Sequence, residues 1–178
     1  MALGILTLSL TNTFLLLPPA APAADRLVMI YGRTPGEDIG AISYLDYKYY
    51  RENNHVFTDI AAAPNQIHVN TNYDGGREIK LVSRPVTDNY FAVMGLRPYL
   101  GNFFSPGDDN VKDPIAVMTY TGWRRMGSDP NIVGKTLTRY KIIGVAPKEF
   151  TGSFYGLNAD LLVSVSYTHL TLPTILRV

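Results

Sequence analysis

The sequence predicts an α+β fold, and three observations support this prediction. Apolar segments typical of strands and of helices alternate along the chain, without the spacing of about 30 residues that repeated βαβ units have. The chain has 178 residues, 46% of them hydrophobic, which suffices for the core of one ordinary domain. All charged residues except Arg177 lie between Asp25 and Asp160, so the middle has the composition of a water-facing domain and the two ends do not.

The first elements follow from local signals. A short apolar run, RLVMIY (residues 26–31), predicts a buried strand. Ser43 is expected to begin a helix, because its hydroxyl can accept a hydrogen bond from a free N–H group, and Asn53-Asn54 are expected to end it. The apolar side of this helix is predicted from Leu45, Tyr49 and Tyr50.

A β-hairpin and a second helix are predicted next. Apolar and polar residues alternate in residues 67–72 and 78–81 on either side of Asp74-Gly75-Gly76, which is typical of a solvent-facing hairpin. A short helix then begins at a cap, Thr87 or Asp88, and ends at Gly95. Residues 96–104 are expected to be irregular. The remaining predicted elements are strands at 115–118, 141–145 and 160–163 and a helix at 119–126.

Composition excludes several classes of protein. The net charge is only +1, so no basic field is present to hold nucleic acid. The absence of cysteine excludes disulfide frameworks, thiolate zinc sites, iron–sulfur clusters and cysteine nucleophiles.

The N-terminal segment, residues 1–19, has two interpretations. It contains no charged residue, and Pro18-Pro19 stop any helix. As a signal peptide it would be cleaved near Ala21-Pro22-Ala23, but no basic residue precedes Arg26. We favour a transmembrane helix whose start is missing. Residues 1–17 would span only about 25 Å of the roughly 30 Å hydrocarbon core, and truncation explains this short length. Both interpretations place residues 25–164, the predicted domain, outside the cytoplasm.

The C-terminal segment, residues 165–178, is predicted not to be native. Its first six residues, VSYTHL, match a reading frame through the transposon mosaic-end adapter of sequencing libraries. Such segments are excluded from fold reasoning, and His169 carries no functional weight. The alternative is an ordinary threonine-rich strand and turn.

The candidate chemical groups favour ordinary structural roles. Gly134-Lys135-Thr136 resembles the end of a phosphate-binding loop, but Asp129 stands where the first glycine is required, and a β-like segment follows instead of a helix. His55 and His68 do not form a zinc site or a catalytic triad. Asp108-Asp109 lack the organised oxygen ligands of a calcium loop and are expected to be turn residues.

Aromatic residues offer two further candidates. Trp123 beside Arg124-Arg125 could stack on a nucleic acid, but on an amphipathic helix we expect the indole to pack inward and the arginines to face solvent or a carboxylate such as Asp129. Four tyrosines between Tyr44 and Tyr50 could line a ligand groove or pack in a core or partner interface. We predict no catalytic, cofactor-binding or metal-ligating residue.

A family resemblance follows from four segments. They are VTDNYFAVMGLRPYLGNFFSPGDD (residues 86–109), PIAVMTYTGWRRMGSDPNIVGKTL (114–137), YKIIGVAPKEFTG (140–152) and ADLLVSV (159–165). The chain resembles the MacB-like periplasmic core domain of ABC transporter permeases of the FtsX/MacB type, especially the duplicated orphan permeases. The resemblance extends back to Met1 and leaves out only the tail.

The resemblance implies βαβ elements plus a β-rich lobe, after one transmembrane helix of the bacterial inner membrane. It implies no cofactor and no chemistry of its own. ATP would be hydrolysed by a separate ABC ATPase, and the permease would transmit that motion to export of a substrate or lipoprotein. Implied partners are the lipid bilayer, the ATPase, a second permease copy or paired half, and a periplasmic adaptor, but no nucleic acid.

Two departures from the family pattern stand out. Residues 137–140 cross directly where the family has a longer hairpin, which is expected to shorten the strands or strain the turn. The chain also stops before the family's return strands, so we expect an N-terminal fragment. The alternative functions are a secreted soluble binding or interaction protein with a cleaved signal peptide, and a small hydrolase using Asp108, Asp109 or His55.

Overall fold

The computed structural model describes residues 22, 24–34, 37–40, 42–64, 67–74, 77–108, 113–150 and 159–164. The predicted N-terminal segment (residues 1–19) and the predicted non-native tail (165–178) lie outside these residues. In the part that is described, no helix has both the length and the apolar character needed to cross a bilayer.

The described residues form a mixed α+β fold, as predicted. A seven-stranded sheet has the order β3-β4-β9-β6-β8-β5, with β7 paired to β8, and β1 and β2 form a separate two-stranded sheet. The strands are β1 (Gly32–Thr34), β2 (Glu37–Gly40), β3 (His68–Asp74), β4 (Arg77–Val86), β5 (Leu100–Gly101), β6 (Ile115–Met118), β7 (Thr136–Leu137), β8 (Tyr140–Val145) and β9 (Leu161–Ser164). The α-helices are α1 (Tyr44–Glu52), α2 (Tyr90–Val93) and α3 (Tyr120–Arg125), and a short 3₁₀ helix spans Ala24–Arg26.

The large sheet combines parallel and antiparallel pairs. Strands β6 and β8 are parallel and are connected through α3, a βαβ arrangement of the kind that the resemblance implies. Strands β4 and β9 are also parallel, whereas the neighbours β3 and β4 and the neighbours β6 and β9 are antiparallel. Strands β6 and β9 are short apolar runs because they lie in the middle of the sheet and are covered on both faces.

Each face of the sheet carries its own hydrophobic cluster. Alternation along β6 sends Ala116 and Met118 to the first cluster and Val117 to the second. Trp123 of α3 covers the first face, and Phe91 of α2 covers the second. The sheet therefore lies between two hydrophobic clusters, and helices α2 and α3 pack on opposite faces of it.

Two helices begin at hydroxyl caps. The Ser43 hydroxyl accepts a hydrogen bond from the Asp46 N–H group at the start of α1, as predicted, and the Thr119 hydroxyl, which was not predicted to be a cap, does the same for the Gly122 N–H group at the start of α3. Gly95, with φ of +67°, follows α2. The Leu96 N–H group then bonds the Phe91 carbonyl oxygen at 3.0 Å, which closes the helix end.

The predicted cap of α2 is wrong. The residue at the cap position is Asn89, and its side chain makes no capping hydrogen bond. Thr87 and Asp88 are used for contacts to other segments instead. The Thr87 hydroxyl accepts from the Ala62 N–H group at 3.0 Å, and the Asp88 carboxylate accepts from the Gly107 N–H group at 3.0 Å.

The predicted buried strand at residues 26–31 is also wrong. Residues 27–31 are irregular, and strand β1 begins only at Gly32. Leu27 packs partly against the second cluster, but Val28 and Tyr31 are more than half exposed. An apolar run forms a buried strand only where a neighbouring strand is available, and no described strand pairs with this run.

The predicted hairpin is confirmed. Strands β3 and β4 pair over seven positions without a bulge, and Asp74 stands opposite Arg77 across the two-residue connection. The stretch predicted to be irregular at 96–104 contains the short strand β5, which pairs with Val145 and Gly144 of β8.

The crossing between β7 and β8 combines one short strand with a left-handed turn residue, whereas β8 keeps six residues. Strand β7 has only two residues, and Leu137 pairs with Tyr140. Thr138 has φ of +57°, a left-handed conformation that a β-branched residue adopts at a cost.

Replacing Thr138 with glycine is therefore expected to raise the free energy of unfolding by about 1 kcal/mol, because the relief of left-handed strain exceeds the added entropy of the unfolded chain. Denaturant unfolding of the full chain measures this. Thr138→Ala keeps the Cβ atom and is the matched control. Equal stability of the glycine and alanine variants would contradict the strained turn.

Candidate functional site

Helix α1 is attached to the sheet by polar contacts instead of apolar packing. Neither hydrophobic cluster contains a residue of α1. Its one buried residue is Tyr47, whose hydroxyl lies 3.5 Å from Asn89 Oδ1. The helix is thus held by hydrogen bonds to the segment that follows β4.

Arg51 lies at the centre of these contacts. Its Nε is 3.1 Å from Asp59 Oδ1, and its Nη1 is 3.4 Å from Asp88 Oδ1. The same Nη1 donates to the Tyr47 hydroxyl at 3.5 Å. We call Tyr47, Arg51, Asp59, Asp88 and Asn89 the α1 clasp.

Asn89 connects the clasp to the loop after α1. Its Nδ2 donates to Asp59 Oδ2 at 2.7 Å and to the Ile60 carbonyl oxygen at 2.9 Å. Its Oδ1 accepts from the Thr87 hydroxyl at 2.9 Å. These side chains meet because β4 ends at Val86, so the next three residues lie at the carboxyl end of that strand.

The environment of Tyr47 affects the ionisation of its hydroxyl. Burial raises the pKa of the Tyr47 phenol above its ordinary value of 10.0, so the hydroxyl remains a hydrogen-bond donor. One guanidinium stands against two carboxylates, and the Asp88 side chain is only 8% exposed. Chemically, this arrangement can hold a helix in place, but it does not activate a nucleophile.

We expect Arg51→Met to lower the free energy of unfolding by about 2 kcal/mol, because the change leaves the buried Asp88 carboxylate without its cation. Lys48→Met on the same helix is the control, since the pair of Lys48 with Glu52 is exposed. Denaturant unfolding measures the stability, and amide hydrogen exchange should show faster exchange in α1. Equal stability of the two variants would contradict the clasp.

The apolar side predicted for α1 is exposed in the structure. Leu45, Tyr49 and Tyr50 are 66%, 63% and 47% exposed, which fits a partner interface, one of the alternatives for the tyrosines, and not core packing. The inward positions belong to the clasp because the sheet offers α1 hydrogen-bonding groups. The loop after α1 also contains exposed apolar residues, Val56 and Phe57.

The tyrosines between Tyr44 and Tyr50 are thus divided between two roles. Tyr47 belongs to the clasp, and Tyr49 and Tyr50 are exposed. The ring of Tyr44 lies against that of Tyr47, with centroids 5.6 Å apart. Trp123 packs inward as predicted and donates from Nε1 to the Asp129 carbonyl oxygen at 2.8 Å.

The remaining charged candidates have structural partners. Arg124 and Arg125 are exposed, and Arg125 pairs with Asp160 at 2.6 Å instead of with Asp129. Gly134-Lys135-Thr136 leads into β7, as the predicted β-like segment requires. The Lys135 ammonium lies 2.5 Å from Asp129 Oδ2 and holds the pKa of that carboxyl below its usual range.

The histidines and the aspartate pair are not brought together. His55 lies in the loop after α1, and His68 lies on β3, both exposed. Asp108 accepts from the Ser105 N–H group at 2.7 Å, in the turn role that was predicted, and Asp109 lies outside the described residues. Over the described ranges, no three histidine or acidic residues are grouped so that they could hold a metal ion.

Sequence reasoning missed three residues that fix the structure: Asp59, Asn89 and Asp160. Asn89 and Asp59 are 30 residues apart, and Arg125 and Asp160 are 35 residues apart, so no local pattern joins them. The available signal was the polar run Thr87-Asp88-Asn89 directly after an apolar strand. Such runs at strand ends often carry contacts between elements.

The sequence matches the family model of the MacB-like periplasmic core domain over residues 1–177, and the chain belongs to this family. This confirms the resemblance. The family consists of periplasmic or extracellular domains of ABC transporter permeases.

Two solved structures share the fold. The periplasmic region of MacB from Actinobacillus actinomycetemcomitans has a TM-score of 0.56 and 17% identity, over 76% of this chain. The extracellular domain of the noncanonic ABC-type transporter YknZ from Gram-positive bacteria has a TM-score of 0.53 and 14% identity, over 70% of this chain. The chain spans 63% of the length of each. No curated protein matches the sequence significantly.

Proposed function

We propose that the chain is the N-terminal part of an ABC-type permease subunit of the bacterial inner membrane. In this proposal residues 1–19 form a transmembrane helix, and residues 25–164 form a non-catalytic extracytoplasmic domain. The domain transmits ATP-driven movement to the export of a substrate or lipoprotein. The observation that carries the proposal is the family match over residues 1–177.

The fold is consistent with a transmitting role. A sheet with a packed cluster on each face moves as one body, because close-packed interiors transmit displacement with little compression. Helix α1 presents Leu45, Tyr49 and Tyr50 on the outside of this body, where partner proteins can contact them. The partners in this proposal are an ABC ATPase that hydrolyses ATP, a second permease copy or paired half, and a periplasmic adaptor.

Anchoring and orientation are tested by fusing alkaline phosphatase after Ser164 in a Gram-negative host. The proposal predicts an active reporter that stays in the membrane after carbonate extraction, with residues 1–17 retained on N-terminal sequencing. A soluble active fusion that begins near Ala24 would instead support the secreted binding protein. An inactive cytoplasmic reporter would contradict both functions.

The gene itself tests whether the chain is part of a longer permease. Native sequence is expected to replace residues 165–178 and to continue into further hydrophobic spans. A stop codon in the native gene near Val163 would contradict the permease proposal.

Transmission is tested on the complete permease purified with its ATPase. We expect amide hydrogen exchange in α1 to differ between the nucleotide-free and ATP-bound complexes. A variant ATPase that cannot bind ATP is the control. Identical exchange in both states would contradict transmission through this domain.

A further inference from the structure

The carboxylate of Asp88 contacts two separate segments, one with each oxygen. Its Oδ1 atom lies 3.4 Å from Arg51 Nη1 of α1, and its Oδ2 atom accepts from the Gly107 N–H group at 3.0 Å. The side chain is buried, so water does not readily replace either contact. Helix α1 and the turn at residues 105–108, which we call the 105–108 turn, therefore share one buried acceptor.

Asp88 is itself held in place by the sheet. It comes two residues after β4 ends at Val86, which is fully buried in the second cluster. Thr87, between them, donates its backbone N–H group to the Ala62 carbonyl oxygen and accepts through its hydroxyl from the Ala62 N–H group, both at 3.0 Å. The carboxylate is thus attached to the packed sheet, whereas α1 and the 105–108 turn contribute no residue to either cluster.

The conformation of the 105–108 turn directs one N–H group to Asp88. Within the turn, the Asp108 carboxylate accepts from the Ser105 N–H group at 2.7 Å, and the Asp108 N–H group donates to the Ser105 carbonyl oxygen at 3.0 Å. Gly107 has φ of +96°, which residues with a Cβ atom rarely adopt. The bond from Gly107 joins this turn to the sheet, so the placement of the turn depends on the direction of the Asp88 carboxylate.

We propose that Asp88 couples helix α1 to the 105–108 turn, so that loosening one segment weakens the attachment of the other. The two oxygens belong to one planar group, and rotation of the side chain changes both contacts together. When one contact is lost, the buried carboxylate is incompletely compensated and turns toward water, which breaks the other contact. Since coupling between two sites is reciprocal, the effect should be present in both directions.

The coupling has a consequence for the outer surface of α1. Leu45, Tyr49 and Tyr50 are exposed on this helix. A ligand or protein that fixes the 105–108 turn would hold this apolar surface more firmly without contacting it. The coupling requires neither a membrane anchor nor an ATPase, so it can fail while the function proposed above holds.

Gly107→Ala tests the coupling from the side of the turn. A Cβ atom at Gly107 meets nothing within 4 Å, so the substitution acts through the backbone, which alanine moves away from positive φ. The Gly107 N–H group then turns from Asp88, and amide hydrogen exchange in α1 of the full chain should become several-fold faster. Gly127→Ala is the matched control, because Gly127 has φ of +90° and equally open surroundings but follows α3. Equal α1 exchange in the two variants would overturn the proposal.

Arg51→Met tests the opposite direction. Loss of the guanidinium leaves the Asp88 carboxylate free to turn toward water, so the Gly107 amide proton should exchange several-fold faster in NMR measurements. Lys48→Met, at an exposed position of the same helix, should leave that exchange rate unchanged. Unchanged exchange at Gly107 in a folded Arg51→Met chain would overturn the proposal, even if Gly107→Ala does not fold.

The two substitutions combined separate coupling from a general loss of stability. In Arg51→Met, the contact through which the turn acts on α1 is already absent, so adding Gly107→Ala should cause little further increase in α1 exchange. Two independent weaknesses would instead multiply their effects on the exchange rate. A multiplicative result would therefore overturn the proposal, and thermal unfolding of each variant checks that the fold is retained.

Discussion

Asp160→Ala is expected to lower the free energy of unfolding by about 3 kcal/mol, one of the largest effects of any single polar substitution in this chain. The carboxylate is 7% exposed and accepts two hydrogen bonds at Oδ2, from the Val82 N–H group at 2.8 Å and from Arg125 Nη2 at 2.6 Å. Alanine leaves the Val82 N–H group of β4 without its acceptor and removes the ion pair that joins Arg125 of α3 to the residue before β9.

The backbone of Asp160 makes this position more critical. Its N–H group donates to the Val82 carbonyl oxygen at 2.7 Å, and its carbonyl oxygen accepts from Thr119 at 2.9 Å. Helix α3 approaches so closely that a Cβ atom on Gly122 would lie 2.7 Å from the Asp160 carbonyl oxygen. The side chain therefore fixes the point where β4, β9 and the start of α3 meet.

Asp108→Ala is the matched control for this substitution. Asp108 also accepts from a backbone N–H group, that of Ser105, but in an exposed turn where water can replace the carboxylate. Denaturant unfolding of the full chain should show a small change for Asp108→Ala and a large one for Asp160→Ala. Similar losses in the two variants would contradict the role assigned to Asp160.

The parts of the fold that could be predicted from the sequence are those set by neighbouring residues. Ser43 and Thr119 cap helices through bonds to residues three positions ahead, and Gly95 ends α2 with its own backbone conformation. The register of the β3–β4 hairpin follows from its two-residue connection. None of these features requires knowledge of a distant partner.

The parts of the fold that could not be predicted depend on packing partners that are distant in the sequence. Residues 26–31 are as apolar as a strand, but no described strand pairs with them. In helix α1, Tyr47 and Arg51 face inward because they form hydrogen bonds there with Asn89 and Asp88. Hydrophobic periodicity identified the apolar side of this helix but could not tell whether that side packs in the core or stays exposed.

The same limit applies to the candidate site. The clasp joins Arg51 to Asp88 across 37 residues, and only the fold reveals that these charges meet. The family resemblance was detectable from the sequence because it rests on ordered local motifs. Those motifs overlap the second cluster at residues 90–94, which connects the recognised segments to the packing of the core.

Phe91→Ala should cost about 4 kcal/mol of unfolding free energy, because the variant loses a fully buried ring and leaves a cavity. Phe91 is 1% exposed, stacks on Phe103 with centroids 4.0 Å apart, and contacts Phe104 and Phe150. Phe57→Ala is the control, since Phe57 is 40% exposed and lies in neither cluster.

Phe91→Leu refills most of the volume and should fall between the two alanine variants. In denaturant unfolding, Phe57→Ala should be the most stable variant, Phe91→Leu the next and Phe91→Ala the least stable.

The number of unfolding transitions of Phe91→Ala also tests whether the sheet behaves as one body. If α2 is part of that body, Phe91→Ala lowers the unfolding midpoint of the whole domain in a single transition. A separate early transition confined to α2 would show instead that the second face is an independent layer, which could not carry displacement to the rest of the sheet.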